Sequence, residues 1–173
     1  MRGFWIGAAA MVVVVTASNI LVQYPLSDWL TYGAFTYPVS FLVTDLTNRS
    51  LGPGVARRVV YAGFAAAVAL SVYFAGWRIA LASGSAFLVA QLMDVYIFHR
   101  LRHGVWWRAP AVSSLIASAV DTALFFALAF AGTAVPWVTL AIGDYGVKAA
   151  MALILLGPFR LFLPWIKTRA GRA

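Results

Sequence analysis

The chain has 173 residues, 63% of them hydrophobic and 10% charged, with a net charge of +8. A soluble domain averages about 25% charged residues, so a mean hydropathy of +0.87 excludes a soluble globular protein and indicates an integral membrane one. Cysteine is absent, which excludes a disulfide framework and a thiolate metal site.

Six apolar segments, at 3–22, 31–48, 58–77, 79–98, 112–131 and 137–161, are each near the ~20 residues that cross hydrocarbon. They predict an all-α fold, one bundle of six transmembrane helices over residues 1–173. The connections are short, so no soluble domain is inserted.

The first segment ends in polar residues, Thr16, Ser18, Asn19 and Gln23, with Asn19 and Gln23 one helical turn apart. Gln23 suits a solvated helix end, whereas Asn19 lies further in. Gly3 and Gly7 form a G-x-x-x-G, which is either a close-packing face or the contact of a homodimer. Arg2, the apolar run to Val15 and Val15-Thr16-Ala17 also resemble a secretory signal. Removing that segment would leave five spans and put the chain ends on opposite sides.

The second segment is the least apolar, and Pro38 within it predicts a short or broken helix. Asp45, Asn48 and Arg49 follow on one face. They read as a polar cluster at the inner end of a path, or as an Asp45–Arg49 ion pair at the headgroups. The third and fourth segments are joined around Arg78, and the fourth carries Gln91 and Asp94 at i, i+3. An amide beside a carboxylate can read the hydrogen-bonding edge of a flat ligand. It can equally tie helices together, and a loop arginine could neutralise Asp94.

In the fifth segment Ser114, Ser118 and Asp121 form a stripe to mid-span. Asp121 is the deepest acid and cannot snorkel to either surface. In the sixth, Asp144 and Lys148 are spaced for an intrahelical pair, structural or functional. Four of the five acidic residues therefore fall inside spans, and the chain has no Glu. A charge at the bilayer centre costs roughly 2.5–3.5 kcal/mol on insertion scales, and by default it marks a substrate or ion pathway.

Eleven of the thirteen Lys and Arg residues lie on one side of this arrangement: Arg2, the loops after the second and fourth segments, and the C-terminal end. Arg78 alone is opposite. The positive-inside rule then makes both termini cytoplasmic. The same clustering argues against nucleic acid as a partner. All seven Trp residues lie near segment ends, as interfacial anchors do. Residues 41–46 (FLVTDL) echo 87–92 (FLVAQL), a match that chance explains in so apolar a chain. His99 and His103 have ligand spacing but no carboxylate partner nearby, so no metal site or cofactor is expected. No nucleophile motif or phosphate loop is present, which argues against an enzyme.

Several segments carry a resemblance: 16–23 (TASNILVQ), 32–38 (YGAFTYP), 41–49 (FLVTDLTNR), 91–95 (QLMDV), 98–102 (FHRLR), 106–110 (WWRAP), 118–122 (SAVDT) and 144–148 (DYGVK). In order and spacing they closely resemble the bacterial queuosine precursor transporter family, also called the vitamin uptake transporter family. The resemblance implies a multi-pass inner-membrane importer of the 7-deazaguanines preQ0 and preQ1, which feed queuosine modification of tRNA. It implies a substrate path drawn from Asn19, Gln23, Tyr37, Asp45, Asn48, Gln91, Asp94, Ser118, Asp121, Asp144 and Lys148. A carboxylate accepts from the ring N–H and the exocyclic amine of a guanine-like edge together. Gln91 or Asn19 suits the adjacent carbonyl, and Tyr37, Phe41 or Phe98 the ring face. Proton coupling and facilitated diffusion both stay open. So does a second class: a substrate-binding membrane subunit that needs a separate ATPase module.

Overall fold

A computed structural model describes residues 2–21, 24–27 and 30–170; Gln23 and Trp29 lie outside these. The first helix, α1 (Arg2–Leu21), matches the first predicted span. It leads into a small antiparallel hairpin, β1 (Pro25–Ser27) against β2 (Leu30–Thr31), closed by the Tyr32 amide donating to the Tyr24 carbonyl at 3.2 Å. The sequence reading contained no strand. Five strand residues leave the class helical.

The second predicted span is two short helices, α2 (Gly33–Thr36) and α3 (Val39–Leu51). Pro38 causes the break, since it has no N–H to donate and its ring crowds the carbonyl of Ala34. The chain is carried across it by tighter i→i−3 bonds, Ser40 to Tyr37 at 2.9 Å and Phe41 to Pro38 at 3.1 Å. Tyr37 therefore stands at the discontinuity. Non-helical backbone at membrane depth persists where it is buried or lines a cavity, and here it does both.

From Pro53 to Leu101 helical structure runs through 49 residues as α4. A straight helix of that length would be about 74 Å long, more than twice the ~30 Å of hydrocarbon. The chain instead folds back between Tyr73 and Trp77, giving an arm at Pro53–Tyr73 and another at Trp77–Leu101. The proof is local. A methyl on Gly84 would lie 3.0 Å from Val68 and 3.3 Å from Phe64, residues about 24 Å and 30 Å away in a straight helix. Glycine here lets the arms touch, as small residues do where helices pack in lipid. Small residues are frequent in these arms, and Ala67, Ala80, Ala82, Ala86 and Ala90 are all buried.

Helix α5 (Arg108–Phe130) ends at Gly132, whose φ of +78° suits a glycine helix terminator. Arg78, the lone arginine on its side, turns to this end and donates to the Ala131 carbonyl at 3.0 Å. That satisfies a carbonyl the helix leaves orphaned. The last predicted span is α6 (Trp137–Ile154) followed by α7 (Leu156–Ala170). Pro158 accounts for the joint, because its ring meets the carbonyl four residues back, that of Ile154.

Among the described residues, five segments are long and apolar enough to cross a membrane: Arg2–Leu21, Pro53–Tyr73, Trp77–Leu101, Arg108–Phe130 and Trp137–Ile166. Their outer faces carry Trp5, Tyr73, Trp77, Leu81, Ile142, Leu161 and Trp165, all exposed as lipid-facing side chains would be. The Gly3–Gly7 face is occupied within the chain: Gly3 lies against Leu51, and Gly7 against Thr47 and Val59.

Candidate functional site: a polar cavity and a buried acid pair

A cavity of about 130 Å³ opens among α1, α2, both arms of α4, α5 and α6. Its apolar wall includes Val15, Ala34, Phe87 and Phe125, and its polar wall includes Ser18, Asn19, Tyr37, Asp121, Asp144 and Lys148. The break at Pro38 sets Tyr37 against this wall. The fifth and sixth spans supply the charges, each from a helix face made polar by one-turn spacing.

Lys148 joins them. Its Nζ lies 2.6 Å from Asp144 Oδ2 and 2.8 Å from Asp121 Oδ2, with its side chain 7% exposed. The intrahelical pair expected from Asp144 and Lys148 forms, and the same ammonium bridges to α5. Thr122 completes the ring, accepting from Lys148 at 3.1 Å and donating to Asp144 at 2.7 Å. The Tyr37 hydroxyl donates to the other oxygen of Asp121 at 2.8 Å, and Lys148 sits 5.2 Å from the centre of the Tyr37 ring. Two carboxylates and one ammonium leave this cluster with one uncompensated negative charge. It can accept hydrogen bonds from a ligand edge or hold a further positive group. On the α1 side, Asn19 accepts from Ser71 at 3.1 Å.

A second polar layer lies about two turns away along α4 and α5, with α3 as its third wall. Asp45 on α3 is 2% exposed and Asp94 on α4 is 0% exposed, and the two lie near enough for their charges to repel. Ser113 and Ser114 of α5 approach Asp45 at 3.5 Å each. Beside them the Gln91 amide donates to Ser40 at 2.8 Å and accepts from Thr44 at 2.6 Å. The Asn48 amide donates to the Val95 carbonyl at 2.9 Å. Arg49 does not pair with Asp45 as its spacing allowed; it donates to the Arg102 carbonyl at the end of α4. No loop arginine reaches Asp94: both ion pairs among the described residues belong to Lys148.

An apolar septum divides the two layers. Phe41, Ala90 and Ala117 pack together, with Tyr37 and Met93 against them. On every helix involved the septum residue falls between the layers: Tyr37, Phe41, Asp45 on α3 and its approach; Phe87, Ala90, Asp94 on α4; Asp121, Ala117, Ser114 on α5. Phe41 and Phe87 both meet the Tyr37 ring edge-on, at centroid distances of 6.1 and 6.3 Å.

Of the residues singled out from sequence, Asn19, Tyr37, Asp121, Asp144 and Lys148 line the cavity. Asp45, Asn48, Gln91 and Asp94 belong to the second layer, Ser118 to a small pocket shared with Asp45 and Ser114, and Gln23 lies outside the described residues. The sequence reading passed over Thr122, Ser40, Thr44 and Ser113. Each sits beside, or one turn from, a residue it did select, which was the available signal.

Buried acids, a buried lysine and helices long enough to span a bilayer define a polytopic membrane protein with an interior polar site. The family model described as "Putative vitamin uptake transporter" matches residues 31–76 and 70–162, and the chain belongs to that family. It is 35% identical to the "Queuosine precursor transporter" of Escherichia coli strain K12, over 90% of this chain and 83% of that protein. It is 33% identical to the "Probable queuosine precursor transporter" of Haemophilus influenzae, over 84% of this chain and 79% of that one. A Bacillus subtilis protein of the latter description is 28% identical over 88% of this chain and 79% of its own length. No solved structure matches the chain.

Proposed function

We propose that this chain is an inner-membrane importer of queuosine precursors, taking up the 7-deazaguanines preQ0 and preQ1 without a separate ATPase subunit. The observation that carries this reading is the Asp121–Lys148–Asp144 cluster set in an aromatic-walled cavity. The names of the E. coli and H. influenzae relatives support the substrate class.

The chemistry follows from the ligand. A 7-deazaguanine presents a flat ring with two adjacent donors, a ring N–H and an exocyclic amine. A carboxylate accepts both at once. Asp121 suits this role, since Tyr37 and Lys148 already fix its two oxygens. Phe87, Phe125 and Tyr37 offer faces and edges to the ring, worth about 0.5–1.5 kcal/mol per aromatic contact beyond burial. Asn19, able to donate and accept, serves the ring carbonyl. The spare negative charge favours the aminomethyl cation of preQ1. By the distribution of arginines the cavity faces outward and the Asp45–Asp94 layer lies toward the cytoplasm.

The test is queuosine in tRNA. The host is a bacterium unable to make preQ0 and lacking its own importer, expressing this chain and fed low preQ0 or preQ1. Restored modification is the expected result. No restoration, with the protein confirmed in the membrane, overturns the assignment. Liposomes containing the purified chain alone then separate transport from mere binding on behalf of an ATPase partner.

A further inference from the structure

The cavity explains three of the charged residues inside the membrane, and Asp45 and Asp94 remain. Their surroundings are anomalous. Both are buried, they adjoin one another, and no Lys, Arg or His among the described residues pairs with either. Arg102 contacts the His99 ring at 3.5 Å, and Arg57 and Arg58 are exposed. Arg49 is spent on the Arg102 carbonyl, Arg100 lies over the Tyr96 ring, Arg160 over the Trp106 ring, and His99 and Arg108 are exposed.

The hydrogen bonding is deficient as well. Neither carboxylate oxygen of Asp94 has a hydrogen-bond partner, nor does Asn48 Oδ1 or Ser118 Oγ. All three residues are 0% exposed. Ser118 lines one small pocket with Asp45 and Ser114. The Asn48 side chain lies between α3 and α4 at the level of Asp94, because its amide reaches the Val95 carbonyl. Buried polar atoms are normally satisfied, and buried charges are paired or neutralised. Here unpartnered oxygens converge on two like-charged acids.

We propose that Asp45 and Asp94, with Ser113, Ser114, Asn48 and Ser118, form a monovalent-cation site, a second binding site separate from the substrate cavity. The donor atoms are all oxygens, which suits a proton shared between carboxyls or a sodium ion. The septum of Phe41, Ala90 and Ala117 separates this site from the Asp121–Lys148–Asp144 cluster. In the transport reading it would load the cation that drives uptake, but its existence does not depend on the substrate.

The test therefore reads cation binding directly. Anything that binds the folded state alone raises its melting temperature. Full-length protein in detergent is melted with sodium chloride against choline chloride at fixed pH, and over pH 6 to 8 without sodium. The melting temperature is expected to rise by roughly 3 °C or more with one of the two cations, and that arm identifies it. Asp94→Asn and Asp45→Asn should abolish the rise, while Asp121→Asn should keep it. A wild-type protein indifferent to both cations overturns the proposal, as does an Asp94→Asn protein that responds like wild type. If either variant fails to fold, the wild-type response still decides. A protein that moves no 7-deazaguanine yet responds to a cation through Asp94 would sink the substrate assignment and leave this site standing.

Discussion

The Lys148 ammonium lies between two carboxylates, 2.8 Å from Asp121 on α5 and 2.6 Å from Asp144 on its own helix. One cation thus ties α5 to α6 inside the membrane, where neither acid could stay charged alone at small cost. This arrangement makes the residues unequal. Removing the lysine strands two charges, whereas removing one acid leaves a matched pair.

Lys148→Met should therefore be the most damaging single change in the cluster. Breaking a buried pair by deleting one partner costs about 3–5 kcal/mol. The double variant Lys148→Met with Asp121→Asn should recover much of that loss, because only the partly exposed Asp144 remains charged. Melting of the purified proteins in detergent checks both. A double variant no more stable than Lys148→Met would mean that the ammonium acts through packing and not through charge.

Tyr37 separates hydrogen bonding from ring contact. Tyr37→Phe deletes the 2.8 Å bond to Asp121 and keeps the edge contacts with Phe41 and Phe87. A hydrogen bond to a charged group is worth about 1.5–3 kcal/mol, and the part of it that orients Asp121 for the ligand should be lost, so substrate affinity should fall by up to roughly tenfold. Tyr37→Leu should lose more, since the ring goes too. Concentration-dependent uptake reads the difference. Equal values for the two variants would place Tyr37 off the substrate path.

The orientation is testable because the chain has no cysteine to remove. Gly104→Cys lies in the exposed turn after α4, and Thr133→Cys in the exposed turn after α5. Membrane-impermeant maleimide added to intact cells should label the second and spare the first. Labelling of Gly104→Cys from outside would invert the topology and the direction of the cavity with it.

Five of the six apolar runs form helices long enough to span, which their length and hydropathy made legible. The break in the second span came from local chemistry whose outcome a sequence leaves open. Pro38 announced a weak second helix, but not that the break would set Tyr37 beside Asp121. The turn at Tyr73–Trp77 was expected around a single arginine, and the close contact of the two arms at Gly84 was not. The site was half legible. One-turn spacing found Asp144 with Lys148, and Ser114 with Ser118. It could not say that Lys148 would reach across to α5, or that Arg49 would leave Asp45 for a distant carbonyl. Those are tertiary choices. Thr122 was missed because a threonine beside an acid looks like any other small helix residue.

The septum gives the last prediction. Phe41, Ala90 and Ala117 lie between the cavity and the acid pair, and Ala117 is 0% exposed. A ligand moving toward the Asp45 side must pass this layer, so added bulk there should obstruct passage and reach the Asp121 cluster only through Tyr37, which packs against the layer. Overpacking a tight site costs about 1–3 kcal/mol, which at a rate-limiting constriction is roughly 5- to 150-fold in rate. Ala117→Leu should therefore bind 7-deazaguanine with near wild-type affinity and import it much more slowly. Phe41→Ala should open the same layer, keeping substrate flux down its gradient while abolishing accumulation against it. Binding and uptake measured on the same reconstituted samples separate the two effects. If Ala117→Leu loses binding and uptake in proportion, the layer is part of the binding site, and the barrier must be sought elsewhere in the bundle.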